Sequence, residues 1–172
     1  SEAYRRAVAD FDAVLQRNPG YAIAYNNRGL AQRGLGDAED RARRDPRPRW
    51  EAAARDFGET VRRAPEMFGV YVNRADTHLR LAQLARRQGV DPREALRAAI
   101  ADLDEALGRS PGLPDVVELR GSCALELGDA EESAGADPRG SWRRALDDFR
   151  AASRMPGGHR GVHLKTAEVA LR

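Results

Sequence analysis

The sequence has little of what most catalytic and extracellular proteins rely on. Cys123 is the sole cysteine in 172 residues, so no internal disulfide can form and a reducing cytoplasm is the expected compartment. Aromatic residues make up 6%, which excludes a core built on rings and leaves alanine and leucine to fill it. Of the 29 basic residues only Lys165 is lysine, a bias that points to the base composition of the gene rather than to a site. No apolar run approaches the roughly 20 residues of a membrane span. The first residues are charged and already read as a helix, so no signal peptide is expected.

Apolar residues at 41% and charged residues at 33% give enough core for one domain with a heavily charged exterior. The net charge of +2 hides two opposite patches. Residues 41–49 hold five arginines against Asp45. Residues 115–132 hold Asp115, Glu118, Glu126, Asp129, Glu131 and Glu132 against Arg120. A nucleic-acid binder usually carries one continuous basic face, so this split makes that reading the alternative, resting on the Arg-rich stretch 41–49.

A repeat runs through the chain with a period of 46 residues. Asp45-Pro46-Arg47 returns as Asp91-Pro92-Arg93 and as Asp137-Pro138-Arg139. The same register holds Ala7, Ala53, Ala99 and Ala145, then Phe11, Phe57, Leu103 and Phe149, then Asp10, Asp56, Asp102 and Asp148. It also holds Pro19, Pro65 and Pro111, Tyr25, Tyr71 and Val117, Arg28, Arg74 and Arg120, and Gly29, Ala75 and Gly121. Each unit reads as two helices. Trp50, Ala53, Ala54, Phe57 and Val61 form one apolar stripe at helical spacing, and Pro65 stops that helix. The recurring Asp-Pro opens the second helix: the Asp side chain caps an N–H, and Pro fits the first turn, where its missing N–H is no loss.

"YNNRGLAQRGLGD" followed by "WEAAARDFGETVRRAP" resembles a tetratricopeptide repeat, with Tyr25, Gly29, Ala53, Phe57 and Pro65 in that family's places. Tyr71, Ala75, Ala99, Leu103 and Pro111 repeat the pattern, as do Val117, Gly121, Ala145 and Phe149. The resemblance covers nearly the whole chain. It implies an all-α, right-handed superhelical solenoid of antiparallel helix pairs. The units run over 20–65, 66–111 and 112–157, between a partial second helix at 1–19 and a partial first helix at 158–172. These unpaired terminal helices are expected in a segment of a longer protein, and their exposed faces could pair between molecules.

The period departs from the family's usual length of about 34 residues. The extra residues fall at 38–49, 84–95 and 130–141. In the middle unit Leu81, Leu84 and Ala85 keep helical spacing, so both helices are expected to lengthen there. "LGDAEDRARR" and "LGDAEESAGA" carry glycine and acids, so in those units a short extra turn or a loop remains open.

The family resemblance places first helices along a groove. Its lining would be Asn26, Asn27, Leu30 and Arg33, then Val72, Asn73, Asp76, Leu79 and Arg80, then Asp115, Glu118, Ser122, Leu125 and Glu126. Asparagine amides there can pair with a peptide backbone, and the acidic third unit favours a basic segment. Some members of the family clamp a C-terminal carboxylate. The matching places are Asn26, Leu30, Asn73, Asp115 and Leu119, of which only Asn73 agrees, so that specificity is not expected. Arg28, Arg74 and Arg120 with their register aspartates read as structural ion pairs. His159 and His163 stand four apart but lack a carboxylate at ligand spacing, and they read as surface residues. Cys123 reads as a buried thiol, and His78 has no nucleophile at useful spacing. No convergent acid, base, nucleophile or metal set is found, so the expected role is a scaffold for a protein or peptide, with no cofactor and no membrane partner. The resemblance adds a regulatory region of a larger bacterial signalling or assembly protein as an expected setting.

Overall fold

The computed structural model describes residues 2–156. Its elements are seven α-helices: α1 (Glu2–Arg17), α2 (Ala22–Arg41), α3 (Arg47–Arg63), α4 (Phe68–Arg87), α5 (Arg93–Arg109), α6 (Pro114–Ser133) and α7 (Arg139–Arg154). Among the described residues there is no strand. The pairs α2–α3, α4–α5 and α6–α7 form hairpins that stack in series, with α1 packed on α2. The partial helix expected at 158–172, with His159 and His163, lies outside the described residues.

The repeated apolar positions are the buried ones. Ala53, Phe57, Ala99, Leu103, Ala145 and Phe149 are each 0% exposed. Complete burial of a side chain the size of Phe57 contributes about 1.5–3 kcal/mol. Phe11 shares the register but is only partly buried.

Within each hairpin, size is matched at two levels. A Cβ added at Gly29 would stand 2.9 Å from the Phe57 ring, and one at Gly121 would stand 2.8 Å from the Phe149 ring. Glycine is required there because the ring occupies the space of a side chain. The middle hairpin holds Ala75 and Leu103 instead, both fully buried in one cluster. The second level lies in the lengthened half. The indoles of Trp50 and Trp142 press onto Gly36 and Gly128, and the middle hairpin has Ala82 and Leu96 in those places. Trp50 Nε1 donates to Asp37 Oδ1 at 3.0 Å, and Trp142 Nε1 donates to Asp129 Oδ1 at 3.1 Å.

These tryptophans resolve the alternatives for the extra residues. All three first helices are 20 residues long, so the units with "LGD" extend as helix just as the middle one does. The glycine and the acid are there to receive an indole, not to end the helix. At 1.5 Å per residue each first helix spans about 30 Å.

The tips of the hairpins share one design. The first helix closes on a left-handed residue, Arg43 (φ 56°), Gly89 (φ 70°) or Gly135 (φ 72°). The next N–H then reaches back to Glu39, Ala85 or Glu131 at 2.9, 2.9 and 2.8 Å, the bond that satisfies a late helical carbonyl. Asp45, Asp91 and Asp137 accept from the N–H two residues on, at 3.0, 3.0 and 3.1 Å. The proline between is already helical (φ −83°, ψ −13° at Pro46), so each Asp stands in the capping place the sequence suggested. Arg93 and Arg139 fold back on their own Asp91 and Asp137, whose pKa values that hydrogen bond pulls down to about 2.

A ladder of arginines joins the helices. Arg28 Nε and Nη2 donate to Asp56 at 2.9 and 2.6 Å, and Nη1 donates to Asp12 at 2.6 Å, so one guanidinium ties α1, α2 and α3. Arg120 does the same with Asp148 (2.9 and 2.6 Å) and Asp104 (2.7 Å), tying α5, α6 and α7. Arg74 pairs with Asp102 through Nε at 2.9 Å, but Gly58 stands where a second carboxylate would come, 3.5 Å from Nη1 once a Cβ is added. The bonds to Asp56 and Asp148 raise the pKa of Arg28 and Arg120, so both stay charged. Three of the expected aspartates, Asp56, Asp102 and Asp148, are buried in these pairs. Asp10 lies exposed on α1, and Asp12 takes the contact instead.

Candidate peptide-binding groove

The first helices α2, α4 and α6 present the residues singled out above. The structure divides them into three groups. Leu30 packs beside Phe57, and Val72, Leu79 and Leu125 pack against the larger core, so their role is largely internal. Arg33, Asp76 and Arg80 form a bridge between α2 and α4. Arg33 Nη1 donates to Asp76 Oδ2 at 3.0 Å, Arg80 Nε donates to the same oxygen at 3.2 Å, and Arg80 Nη1 lies 3.2 Å from Asp37. These three charges hold adjacent repeats together. Glu126 accepts from Gln83 Nε2 at 2.9 Å, a lighter link between α4 and α6.

The third group is mostly polar and, apart from the exposed Asp115, half-buried. Asn26 Nδ2 donates to Asn27 Oδ1 at 3.1 Å, while the buried Asn26 Oδ1 has no hydrogen-bond partner. The backbone carbonyl of Asn73 accepts from Thr77 Oγ1 at 2.8 Å, and its side-chain amide makes no hydrogen bond with a described residue. Asp115, Glu118, Leu119 and Ser122 line a cavity of about 210 Å³ on α6, with Ser122 Oγ donating to the Glu118 carbonyl at 3.0 Å. The acidic third unit is therefore gathered on one stretch of helix.

A larger cavity was not foreseen. About 480 Å³ opens between the second tip and the end of α6, lined by Arg86, Val90, Pro92, Glu126, Ala130 and Ser133 among others. One repeat earlier the corresponding space is closed: Arg87 Nη2 donates to Asp40 at 2.8 Å, and Arg47 reaches Gln88. Arg86 and Ser133 replace that ion pair in the later copy and cannot close it. Comparing residues one period apart would have shown the change of charge.

Other candidate groups are structural. Cys123 is fully buried, and burial pushes its thiol up to about 12, so it stays protonated and inert. His78 is mostly buried, with Nε2 4.0 Å from Asp102; burial lowers its pKa below the ordinary 6.5. Among the described residues no three His, Cys, Asp or Glu side chains gather to hold a metal, and no helix is long and apolar enough to cross a membrane.

Paired antiparallel helices in series, with the first helix of each pair on the groove side, define an all-α solenoid of helical hairpins. Residues 1–43 match the family model of the tetratricopeptide repeat. The match covers a quarter of the chain, and the stacked helical hairpins of the described residues have the fold of tetratricopeptide-repeat proteins. No curated protein matches the sequence. A crystal structure of MamA superimposes with a TM-score of 0.69 at 12% identity, covering 98% of this chain and 77% of that one. The first tetratricopeptide-repeat domain of Spaghetti (RPAP3), bound to the HSP90 peptide SRMEEVD, gives 0.56 at 11% identity, covering 85% and 93%. The TPR2B domain of yeast Sti1 in complex with pHsp70 gives 0.54 at 17% identity, covering 83% and 96%.

Proposed function

We propose that the chain is a non-catalytic scaffold that holds a peptide or protein segment along the α2–α4–α6 groove. One observation carries this reading. The residues that recur through the units go into packing, capping or ion pairs between helices, whereas the polar Asn26, Asn27, Asn73, Asp115, Glu118 and Ser122 stand on the first helices and, Asn27 and Asn73 apart, change from unit to unit. Their amides and carboxylates suit a backbone and a basic side chain. Proteins of the same fold bound to an HSP90 peptide and in complex with pHsp70 support a peptide as ligand. The absence of Lys and Arg at the carboxylate-clamp places speaks for an internal segment rather than a chain end.

The test is an array of tiled basic and neutral peptides probed with the wild type, Asn73→Ala and Glu118→Lys. Peptides held by the wild type should be weakened by both changes, and basic ones most by Glu118→Lys. Peptides held equally by all three proteins would place the ligand elsewhere.

A further inference from the structure

The hairpin tips differ among the three copies in charge. At the first tip the side chains of Arg41, Arg43 and Arg44 are exposed and make no hydrogen bond or ion pair with a described residue. Arg47 donates to the neutral amide oxygen of Gln88, so its charge is also uncompensated. One period on, the same places hold Arg87 paired with Asp40, Gly89, Val90, and Arg93 folded onto Asp91. Two periods on they hold Ser133, Gly135, Ala136, and Arg139 folded onto Asp137. Unpaired cations therefore gather at the first tip.

Arg43 adds an independent observation. It occupies the left-handed backbone, φ 56°, where the other two tips use glycine. A side chain kept in a conformation that costs about 1–2 kcal/mol points to a use for that side chain. The turn beneath it is fixed by the Arg43 and Arg44 N–H groups bonding to Asp40 and Glu39, both at 2.9 Å, so the arginines project from a set frame.

We propose that the tip at residues 41–47 is a second docking surface, separate from the groove, for a short acidic polypeptide segment whose carboxylates meet Arg41, Arg43, Arg44 and Arg47. Guanidinium forks match carboxylates with paired hydrogen bonds. The footprint is one turn of chain. A long polyanion laid along this edge would run on to the second and third tips, where Arg93 and Arg139 are already held by Asp91 and Asp137 and Glu132 adds a negative charge. A short acidic segment meets only the first tip.

The experiment titrates a labelled peptide alternating Glu and Ala, its Gln-for-Glu counterpart, and a labelled single-stranded RNA of equal charge, near physiological ionic strength. The acidic peptide should bind, weaken as salt rises, and lose about tenfold to a hundredfold in affinity in the triple variant Arg41→Gln, Arg43→Gly, Arg44→Gln, at roughly two- to fivefold per arginine. Arg43→Gly alone should bind about two- to fivefold more weakly while resisting urea better than the wild type, a pairing that simple loss of structure cannot produce. Asn73→Ala and Glu118→Lys should leave this binding unchanged, which separates it from the groove. Equal binding by the wild type and the triple variant overturns the proposal, as does no binding of the acidic peptide. Tighter RNA binding through the same arginines overturns it in favour of nucleic acid. Self-association of the wild type that the triple variant abolishes overturns it in favour of a second copy.

Discussion

The match of Gly29 to Phe57 and of Ala75 to Leu103 can be taken apart by a double-mutant cycle. Gly29→Ala places a methyl 2.9 Å from a ring that is 0% exposed and has nowhere to turn. Overpacking of this kind costs about 1–3 kcal/mol, against about 1 kcal/mol gained because Ala favours a helix over Gly. The net result is a loss of up to about 2 kcal/mol. Phe57→Leu alone leaves a void and costs on the order of 1 kcal/mol. In the double variant the new methyl enters the space the ring has left, reproducing the middle hairpin. There Gly29→Ala should stabilise by about 1 kcal/mol, the helix-propensity gain with its steric cost removed. One substitution thus turns from costly to stabilising, a coupling equal to the steric cost removed, about 1–3 kcal/mol. Urea unfolding of the four proteins, followed by far-UV circular dichroism, measures it. Additivity within about 0.5 kcal/mol would refute the claim that ring and glycine share one space.

Three further outcomes follow from comparing the copies. Arg43→Gly should raise stability by about 0.5–1 kcal/mol, and Gly89→Ala, whose Cβ meets nothing within 4 Å, should lower it by about 1 kcal/mol, both read by thermal unfolding. Gly58→Asp should give Arg74 the second carboxylate that Arg28 and Arg120 have. A gain of about 0.5–1.5 kcal/mol that shrinks with added salt is expected, and an equal gain from Gly58→Ala would show that the carboxylate adds nothing. Burial lowers the pKa of His78, with Arg74 adding to that and Asp102 partly opposing it. The unfolded chain therefore takes up the proton first, and stability falls as the pH drops through the ordinary value of 6.5. His78→Gln, which copies Gln32 one period earlier, should flatten that fall in urea titrations from about pH 7 to about pH 5.

The helix pairing was legible because its determinants recur at one fixed step. A single cap explains Asp45, Asp91 and Asp137, and a single packing site explains Ala53, Ala99 and Ala145. What escaped notice broke the step or skipped a copy. Gly36 and Asp37 looked like helix breakers because their partner, Trp50, lies across the hairpin and is replaced by Leu96 in the next unit. Trp50 and Trp142, both with Gly-Asp upstream at the same distance, were the available signal. Asp12 and Asp104 were hidden by Gly58 between them. The bridge Arg33–Asp76 joins residues 43 apart, because neighbouring first helices meet with a stagger, so no search at 46 could find it. Of the proposed groove residues, Asn27 and Asn73 recur at the step, as do Leu79 and Leu125, but a repeated residue does not mark a binding face, and family resemblance was the reason to name them.

Successive joints of the solenoid are stapled on opposite faces. Between the first and second hairpins the ion pairs join first helices, Arg33–Asp76, Arg80–Asp37 and Arg87–Asp40, while at the back Gly58 leaves Arg74 without a second carboxylate and the polar ties are Arg47 to Gln88 and Arg109 to the Pro65 carbonyl. Between the second and third hairpins the back is tied by Arg120, Arg144 and Arg97, and Gln83 bonds to Glu126 at the front. The stack is thus a book with two spines facing different ways. Salt should therefore loosen the two joints from different sides, the first where α2 meets α4 and the second where α5 meets α6 and α7.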